Sequence, residues 1–148
     1  MPLPTMLPLA FAVLFWAPLA FAQSNLGELL DAGAKQLSAE EFKEQVVQRI
    51  IVGPTASGGS LEVMYANNGM IQGEGTHPAF SGHAFSPISG EWTTDDNGRV
   101  CTSMRIGSSQ SATLPTRCQF WFKYAEQYFF SDSDSDRRAQ VLRRTIKQ

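Results

Sequence analysis

The sequence has few cysteines, few histidines and no excess of positive charge. Its 148 residues include two Cys and two His, and its 12 basic and 14 acidic side chains give a net charge of −2. Without a basic excess the chain has no cationic field to attract phosphates, which argues against nucleic-acid binding. The length accommodates one small domain with one core. Because 43% of the residues are hydrophobic, the chain does not belong to the disordered class.

Charge is also missing from the first 24 residues, which form an apolar segment. The apolar centre of this segment, Leu9 to Ala17, is shorter than the roughly 20 residues that a membrane-spanning helix needs. Ala20-Phe21-Ala22 has the small-x-small form that signal peptidase recognises. We therefore predict a signal peptide at residues 1–22 and one mature domain at residues 23–148, with no stable membrane span after cleavage. No Lys or Arg precedes the apolar centre, so an uncleaved membrane anchor is the alternative.

The two cysteines, Cys101 and Cys118, are separated by 16 residues. In an exported chain an even number of cysteines usually forms disulfides. A metal site would need further ligands nearby, and a redox site would need Cys-x-x-Cys spacing. We predict a structural disulfide between these two residues, a periplasmic or secreted location, and no cofactor.

A capping signal marks the start of a helix. Ser38 is a residue type that caps helices, and Glu41 follows at the spacing that completes a capping box. Leu37 and Phe42 occupy the two positions of a hydrophobic staple around this box. Because apolar residues continue at helical spacing, we predict an amphipathic helix from about residue 39 to residue 48.

Beyond Ile50 the apolar residues alternate with polar ones, which is typical of strands. Residues that favour tight turns divide this part into hairpins, at Asn67-Asn68-Gly69, at residues 95–98 and near Ala125-Glu126. Residues 137–147 fit either a helix or a strand, and we favour a strand. The prediction is a mainly β domain with strands from about residue 50 to residue 147, preceded by one amphipathic helix. Its sheet is an antiparallel β-meander, a curved sheet or a small lipocalin-like barrel.

Seven aromatic residues are concentrated between Phe120 and Phe130. On a strand, Phe120, Phe122 and Tyr124 share one face. The simpler interpretation is that these rings form the core of the sheet, since aromatic side chains bury large areas. The alternative is a ligand cavity lined by rings, as in small barrels. Under that alternative the candidate ligand-binding residues are these three and Trp92.

The sequence contains no recognisable catalytic or metal-binding motif. It has no nucleophile elbow and no His-Glu-x-x-His helix. The acidic run at residues 132–136 begins like a calcium loop but lacks the required Gly and Glu at the sixth and twelfth positions. His77, His83 and Glu74 supply fewer ligands than a structural metal site generally uses. We therefore predict no catalytic residues and no metal.

Three short motifs occur in order along the chain: the helix start at residues 37–41, Gly90-Glu91-Trp92 followed by Asn97 to Cys101, and Cys118 followed by an aromatic strand. Together they resemble a small family of secreted bacterial proteins known as a domain of unknown function. The resemblance extends from about Leu37 to Lys147 and implies an exported, mostly antiparallel β domain without catalytic residues.

Gly90-x-Trp92 is also similar to the lipocalin signature, which opens the first strand of that barrel. Here only 56 residues follow Trp92. That is too few for seven further strands and their turns, so the similarity implies at most a lipocalin-like sheet.

These observations predict a non-enzymatic binding or interaction module of the bacterial envelope. Its partner would be a small apolar ligand or another envelope protein, and not a nucleic acid. One alternative is a secreted hydrolase with an unmarked active site. Another is an interaction protein whose aromatic strand pairs with the sheet edge of a partner.

Overall fold

The computed structural model describes residues 24–79, 85–108 and 111–148. The predicted signal peptide at residues 1–22 lies outside these residues, as does His83. Neither helix in the described part of the chain has the length and apolarity needed to cross a bilayer.

Two short helices and ten strands make up the described chain. Helix α1 spans Leu26–Asp31, and helix α2 spans Ala39–Gln45. The strands are, in chain order, β1 (Lys35–Gln36), β2 (Ile50–Pro54), β3 (Ser60–Tyr65), β4 (Met70–Gly75), β5 (Ser86–Thr94), β6 (Val100–Gly107), β7 (Ser111–Thr113), β8 (Arg117–Tyr124), β9 (Gln127–Ser131) and β10 (Val141–Ile146).

Eight of these strands close into an up-and-down antiparallel barrel. Neighbours in sequence are neighbours in the barrel, except that β6 pairs directly with β8 and leaves β7 outside the ring. The first and last strands of the ring, β2 and β10, then pair with Val52 opposite Thr145 and Ile51 opposite Ile146. Among the three sheet forms predicted from the sequence, the structure is the small closed barrel. Residues 137–147 contribute strand β10, so the preference for a strand is confirmed.

Alternating side chains fill the barrel interior. Along β3, Leu61, Val63 and Tyr65 are buried, while the residues between them are half-buried. The strands bend tightly enough that some positions exclude any side chain. A Cβ added at Gly73 would lie 2.0 Å from the carbonyl oxygen of Glu62 on the neighbouring strand. Glycine at this position therefore permits the close approach that barrel curvature requires.

Helix α2 covers one end of the barrel. Phe42 is fully buried, and its ring meets three others edge-on, with centroid distances of 5.5 Å to Tyr65, 5.6 Å to Trp92 and 5.1 Å to Trp121. The hydrophobic staple residue Leu37 is also buried in the interior cluster. Packing of this one aromatic side chain therefore fixes the helix to the barrel.

The predicted capping box is present. The backbone N–H of Glu41 donates to Ser38 Oγ at 3.1 Å, and the backbone N–H of Ser38 donates to Glu41 Oε2 at 2.8 Å. The predicted end of the helix at residue 48 is wrong, because α2 ends at Gln45. Gln48 has a φ of 65°, and its N–H donates to the Tyr65 carbonyl oxygen at 2.8 Å. The apolar pattern continues past the helix because Val46 and Val47, in the following turn, are also buried.

Replacing Ser38 with alanine removes the side-chain acceptor of the capping box. We expect the free energy of unfolding to fall by about 1 kcal/mol, the usual cost of losing a helix N-cap. Urea denaturation would measure this loss. Ser103→Ala, on an exposed position of β6, is the matched control and should change stability by less than about 0.5 kcal/mol. Equal losses in the two variants would contradict a stabilising role for the cap.

Helix α1 packs on the outer face of the barrel. Its buried residues Leu26 and Leu29 belong to a second cluster, separate from the interior one. The strand residues of this cluster are Phe120, Phe122, Phe129 and Val141. Strands β8 and β9 are therefore buried on both faces, which accounts for the density of aromatic residues there.

Candidate functional site

A cavity of about 270 Å³ lies at the end of the barrel opposite to α2. Along β3, α2 meets Tyr65 at the end of the strand, whereas the cavity contacts Leu61 near its beginning. Residues 55–57, between β2 and β3, and residues 114–115, between β7 and β8, form its outer part. We call this space the end cavity.

The wall of the end cavity is mainly apolar. The larger apolar side chains come from three strands and one connecting segment and are those of Leu61, Met104, Leu114 and Phe130. Polar side chains of the strands interrupt this wall at Thr102, Arg117, Gln119 and Arg144, and Thr55 and Ser57 add hydroxyl groups at its outer part. A small number of polar groups in an apolar wall is typical of sites for small molecules.

Arg144 is the buried cation of the end cavity. Only 5% of its surface is exposed. Its guanidinium carbon lies 4.3 Å from the ring centroid of Phe130. Nη1 donates to the carbonyl oxygens of Pro54, at 2.5 Å, and Arg143, at 3.1 Å. Among the described residues, no carboxylate forms an ion pair with this side chain.

Burial dominates the electrostatics at Arg144. Desolvation lowers the pKa of this guanidinium to about 10, although the nearby Tyr65 acts in the opposite direction. Burial likewise raises the pKa of the Tyr65 phenol, which Arg144 partly offsets. At pH 7 the phenol is therefore neutral and the guanidinium carries its full positive charge.

The absence of a side chain at Gly53 makes room for this arginine. A Cβ at position 53 would lie 2.6 Å from Arg144 Nη1 and 2.6 Å from the Arg143 carbonyl oxygen. The Arg144 side chain therefore passes across position 53 of β2 to reach the carbonyl oxygen of Pro54, and it can do so only because residue 53 is glycine. This contact joins β10 to β2, the pair of strands that closes the ring.

The second arginine of the end cavity already has a partner from the chain. Arg117 forms an ion pair with Asp132. Gln119 Nε2 also donates to Asp132, with 3.1 Å between the nitrogen and Oδ1. The charge of Arg117 is therefore compensated, whereas that of Arg144 is not.

A larger and more polar depression, of about 650 Å³, surrounds the start of α2 and the turn between β5 and β6. Two of its acidic side chains, Asp95 and Glu41, serve local structure. Desolvation raises the pKa of Asp95, but hydrogen bonds from Arg99 and Asn97 outweigh it and lower that pKa overall. Glu41 belongs to the capping box. Within the described residues, no three His, Cys, Asp or Glu side chains are placed to hold a metal ion. We therefore take the end cavity as the candidate site.

The four predicted ligand-binding residues do not share one surface. Phe120 and Phe122 lie under α1 on the outer face of the barrel. Trp92 lies in the interior near α2, where its Nε1 donates to the Ala66 carbonyl oxygen at 2.9 Å. Tyr124 is 36% exposed at the end of β8. None of the four lines the end cavity.

The predicted disulfide between Cys101 and Cys118 is confirmed. The two residues lie directly opposite each other where β6 pairs with β8. This pairing spans only three residue pairs in the described strands. The disulfide therefore links two strands whose pairing is among the shortest in the ring.

The aromatic strand β8 has little room for a partner strand. One edge pairs with β9, and the other pairs first with β6 and then with β1. Between these two pairings, the N–H of Leu37 donates to the carbonyl oxygen of Trp121 at 2.8 Å. The alternative in which this strand pairs with the sheet edge of a partner protein needs a free edge on β8, and both edges are largely occupied within the chain.

Sequence reasoning missed the residues that line the end cavity. One signal is present in β10, where Leu142 and Ile146 are apolar residues on the same face of the strand. On a strand, the residue between them in the same alternation is Arg144. An arginine between two inward apolar residues is unusual, because arginine is almost never fully buried unless it is paired.

Comparison of the chain with family models, with curated proteins and with solved structures gives no match.

Proposed function

We propose that this protein is an exported, non-enzymatic binding module of the bacterial envelope that holds a small, mainly apolar ligand in the end cavity. The end cavity carries this proposal. Its volume of about 270 Å³ corresponds to about nine water molecules at liquid density. A ligand on the order of ten non-hydrogen atoms is therefore the size that suits it.

The composition of the cavity wall favours binding over catalysis. None of the described residues that line it is a carboxylate or a histidine. Thr55, Ser57 and Thr102 supply hydroxyl groups there, but no neighbouring side chain of the wall can act as their general base. This composition gives the alternative of a secreted hydrolase less support.

Export has two lines of support. The uncharged N-terminal segment has the form of a signal peptide. The disulfide between Cys101 and Cys118 is typical of proteins in oxidising compartments.

Binding of 1-hexanol, a neutral probe of suitable size, would test the proposal. We expect saturable shifts in amide NMR signals of Leu61 and Met104 at millimolar or lower concentrations, because the alkyl chain replaces water along an apolar wall. Leu114→Trp, which adds an indole to the wall, should weaken binding at least tenfold.

Thr113→Trp is the matched control for this substitution. Thr113 precedes Leu114, is exposed and does not line the end cavity. Its replacement should leave 1-hexanol binding within about twofold of the original. The proposal fails if no signal saturates, or if both tryptophan variants bind the probe as the original protein does.

A further inference from the structure

We propose that the ligand of the end cavity is a small monocarboxylate, with its apolar tail against the cavity wall and its carboxylate paired with Arg144. This inference rests on the proposed function and adds the chemical class of the ligand. It starts from a cation that the chain buries without supplying a countercharge.

A buried charge is normally paired with an opposite charge. Arg144 is 95% buried, by its exposed fraction of 5%, yet among the described residues its guanidinium has two carbonyl oxygens and the face of Phe130 as partners and no carboxylate. Such partners do not neutralise a guanidinium. The other arginine of the cavity, Arg117, shows that the chain does provide a carboxylate where one is needed.

The donors that remain on Arg144 suit a carboxylate. Nη1 makes both hydrogen bonds of this side chain, so Nε and Nη2 have no partner among the described residues. No fully shielded side-chain nitrogen or oxygen of the described residues lacks a partner. The free donors therefore face open space, and the space that Arg144 lines is the end cavity. Nε and Nη2 form one side of the guanidinium fork, which binds the two oxygens of a carboxylate in parallel.

The number of charges favours a carboxylate over a phosphate. The cavity has one uncompensated cation, Arg144, because the charge of Arg117 is already neutralised by Asp132. A monoanion matches that single charge, whereas a dianionic phosphate or phosphonate would leave one negative charge unpaired in an apolar wall.

A purely structural role for Arg144 is the competing interpretation. Its bond to Pro54 joins β10 to β2 and supports ring closure. Such a role predicts that substitution lowers stability, but it does not predict that the cavity distinguishes between ligands of different charge. Ligand charge is therefore the measurement that separates the two interpretations.

The first experiment measures, by NMR titration at pH 7, the affinity of the unmodified protein for four six-carbon probes. The probes are hexanoate, 1-hexanol, 1-hexylamine and hexylphosphonate. We expect hexanoate to bind at least tenfold more tightly than 1-hexanol, and 1-hexylamine to bind more weakly than both, because a second cation beside Arg144 is repelled. Hexylphosphonate should bind more weakly than hexanoate. Tighter binding of the phosphonate would overturn the carboxylate assignment.

The second experiment compares Arg144→Gln with Arg143→Gln. Arg143 is the preceding residue on β10, and its side chain is exposed, so both variants remove one positive charge from the same strand. Arg144→Gln should bring the affinity for hexanoate to within threefold of that for 1-hexanol. Arg143→Gln should keep the tenfold preference.

The outcomes separate this inference from the proposed function. If 1-hexanol binds but hexanoate binds no more tightly, the cavity is a ligand site and the role of Arg144 in selecting a carboxylate is wrong. If neither probe binds, the proposed function itself fails. If Arg144→Gln does not fold, the comparison of hexanoate with 1-hexanol on the unmodified protein still decides the matter.

Discussion

Replacing Phe42 with alanine is expected to lower the free energy of unfolding by about 3–5 kcal/mol, the usual range for removing a buried phenylalanine from a core. Phe42 has no exposed surface and contacts three other aromatic rings. Helix α2 has only seven residues, too few to be stable without tertiary packing. Loss of this one side chain should therefore release the helix as well as leave a cavity. Guanidinium denaturation followed by tryptophan fluorescence would measure the effect, since Trp92 and Trp121 lie beside the ring.

Two further variants make this test specific. Phe42→Leu retains an apolar side chain and should lose less stability than Phe42→Ala. Glu44→Ala, at an exposed position on the same helix, should change stability by less than about 0.5 kcal/mol. A loss below about 1 kcal/mol in Phe42→Ala would show that α2 does not depend on this contact.

Removing the disulfide is expected to cost about 3 kcal/mol, from the denatured-state entropy that a loop of this size releases. The two cysteines are separated by 17 positions in sequence. In the double variant Cys101→Ser with Cys118→Ser, the midpoint of thermal unfolding should fall by roughly 10 °C for a domain of this length. Circular dichroism would report both the midpoint and the retention of the β signal.

Chemical reduction provides an independent check on the disulfide. Addition of a reductant should lower the midpoint of the original protein to that of the double serine variant, and it should leave the variant unchanged. An equal midpoint for the oxidised protein and the double variant would mean that the three residue pairs between β6 and β8 hold that part of the ring by themselves.

The sequence predicts those parts of the fold that local chemistry determines. The capping box of Ser38 and Glu41 fixes the start of α2, and the turn residues at positions 67–69 fix the hairpin between β3 and β4. Alternation also identifies which residues share a face. Val100 and Ile106 of β6, for example, lie on one face and both are buried in the barrel interior.

Alternation does not determine which face of a strand points inward. In β8, both faces are apolar because α1 covers the outer one. Phe120 and Phe122 were therefore equally compatible with the interior and the exterior, and the structure places Trp121 inside instead. Which face of β8 points inward depends on the position of α1, a helix about 90 residues earlier in the chain. No local sequence pattern in β8 contains that information.

The candidate site depends on contacts between residues that are distant in sequence. The end cavity joins β3, β6, β8, β9 and β10 with two connecting segments. Its key residue, Arg144, is defined by what surrounds it, namely Pro54 on another strand and Phe130 on a third. A sequence shows that an arginine is present, but it does not show whether a carboxylate lies opposite to it.

The up-and-down connectivity of the barrel also sets an order for its folding. Most strand pairs join neighbours in sequence, so they can form early and at low entropic cost. The pairing of β2 with β10 is different, because it brings together Val52 and Thr145 from opposite ends of the ring. Among the pairings of the ring this one has the largest sequence separation, so it has to wait for the other hairpins. Amide hydrogens at this last junction should therefore exchange with solvent sooner than those of β5 and β6, whose pairing is the longest in the barrel.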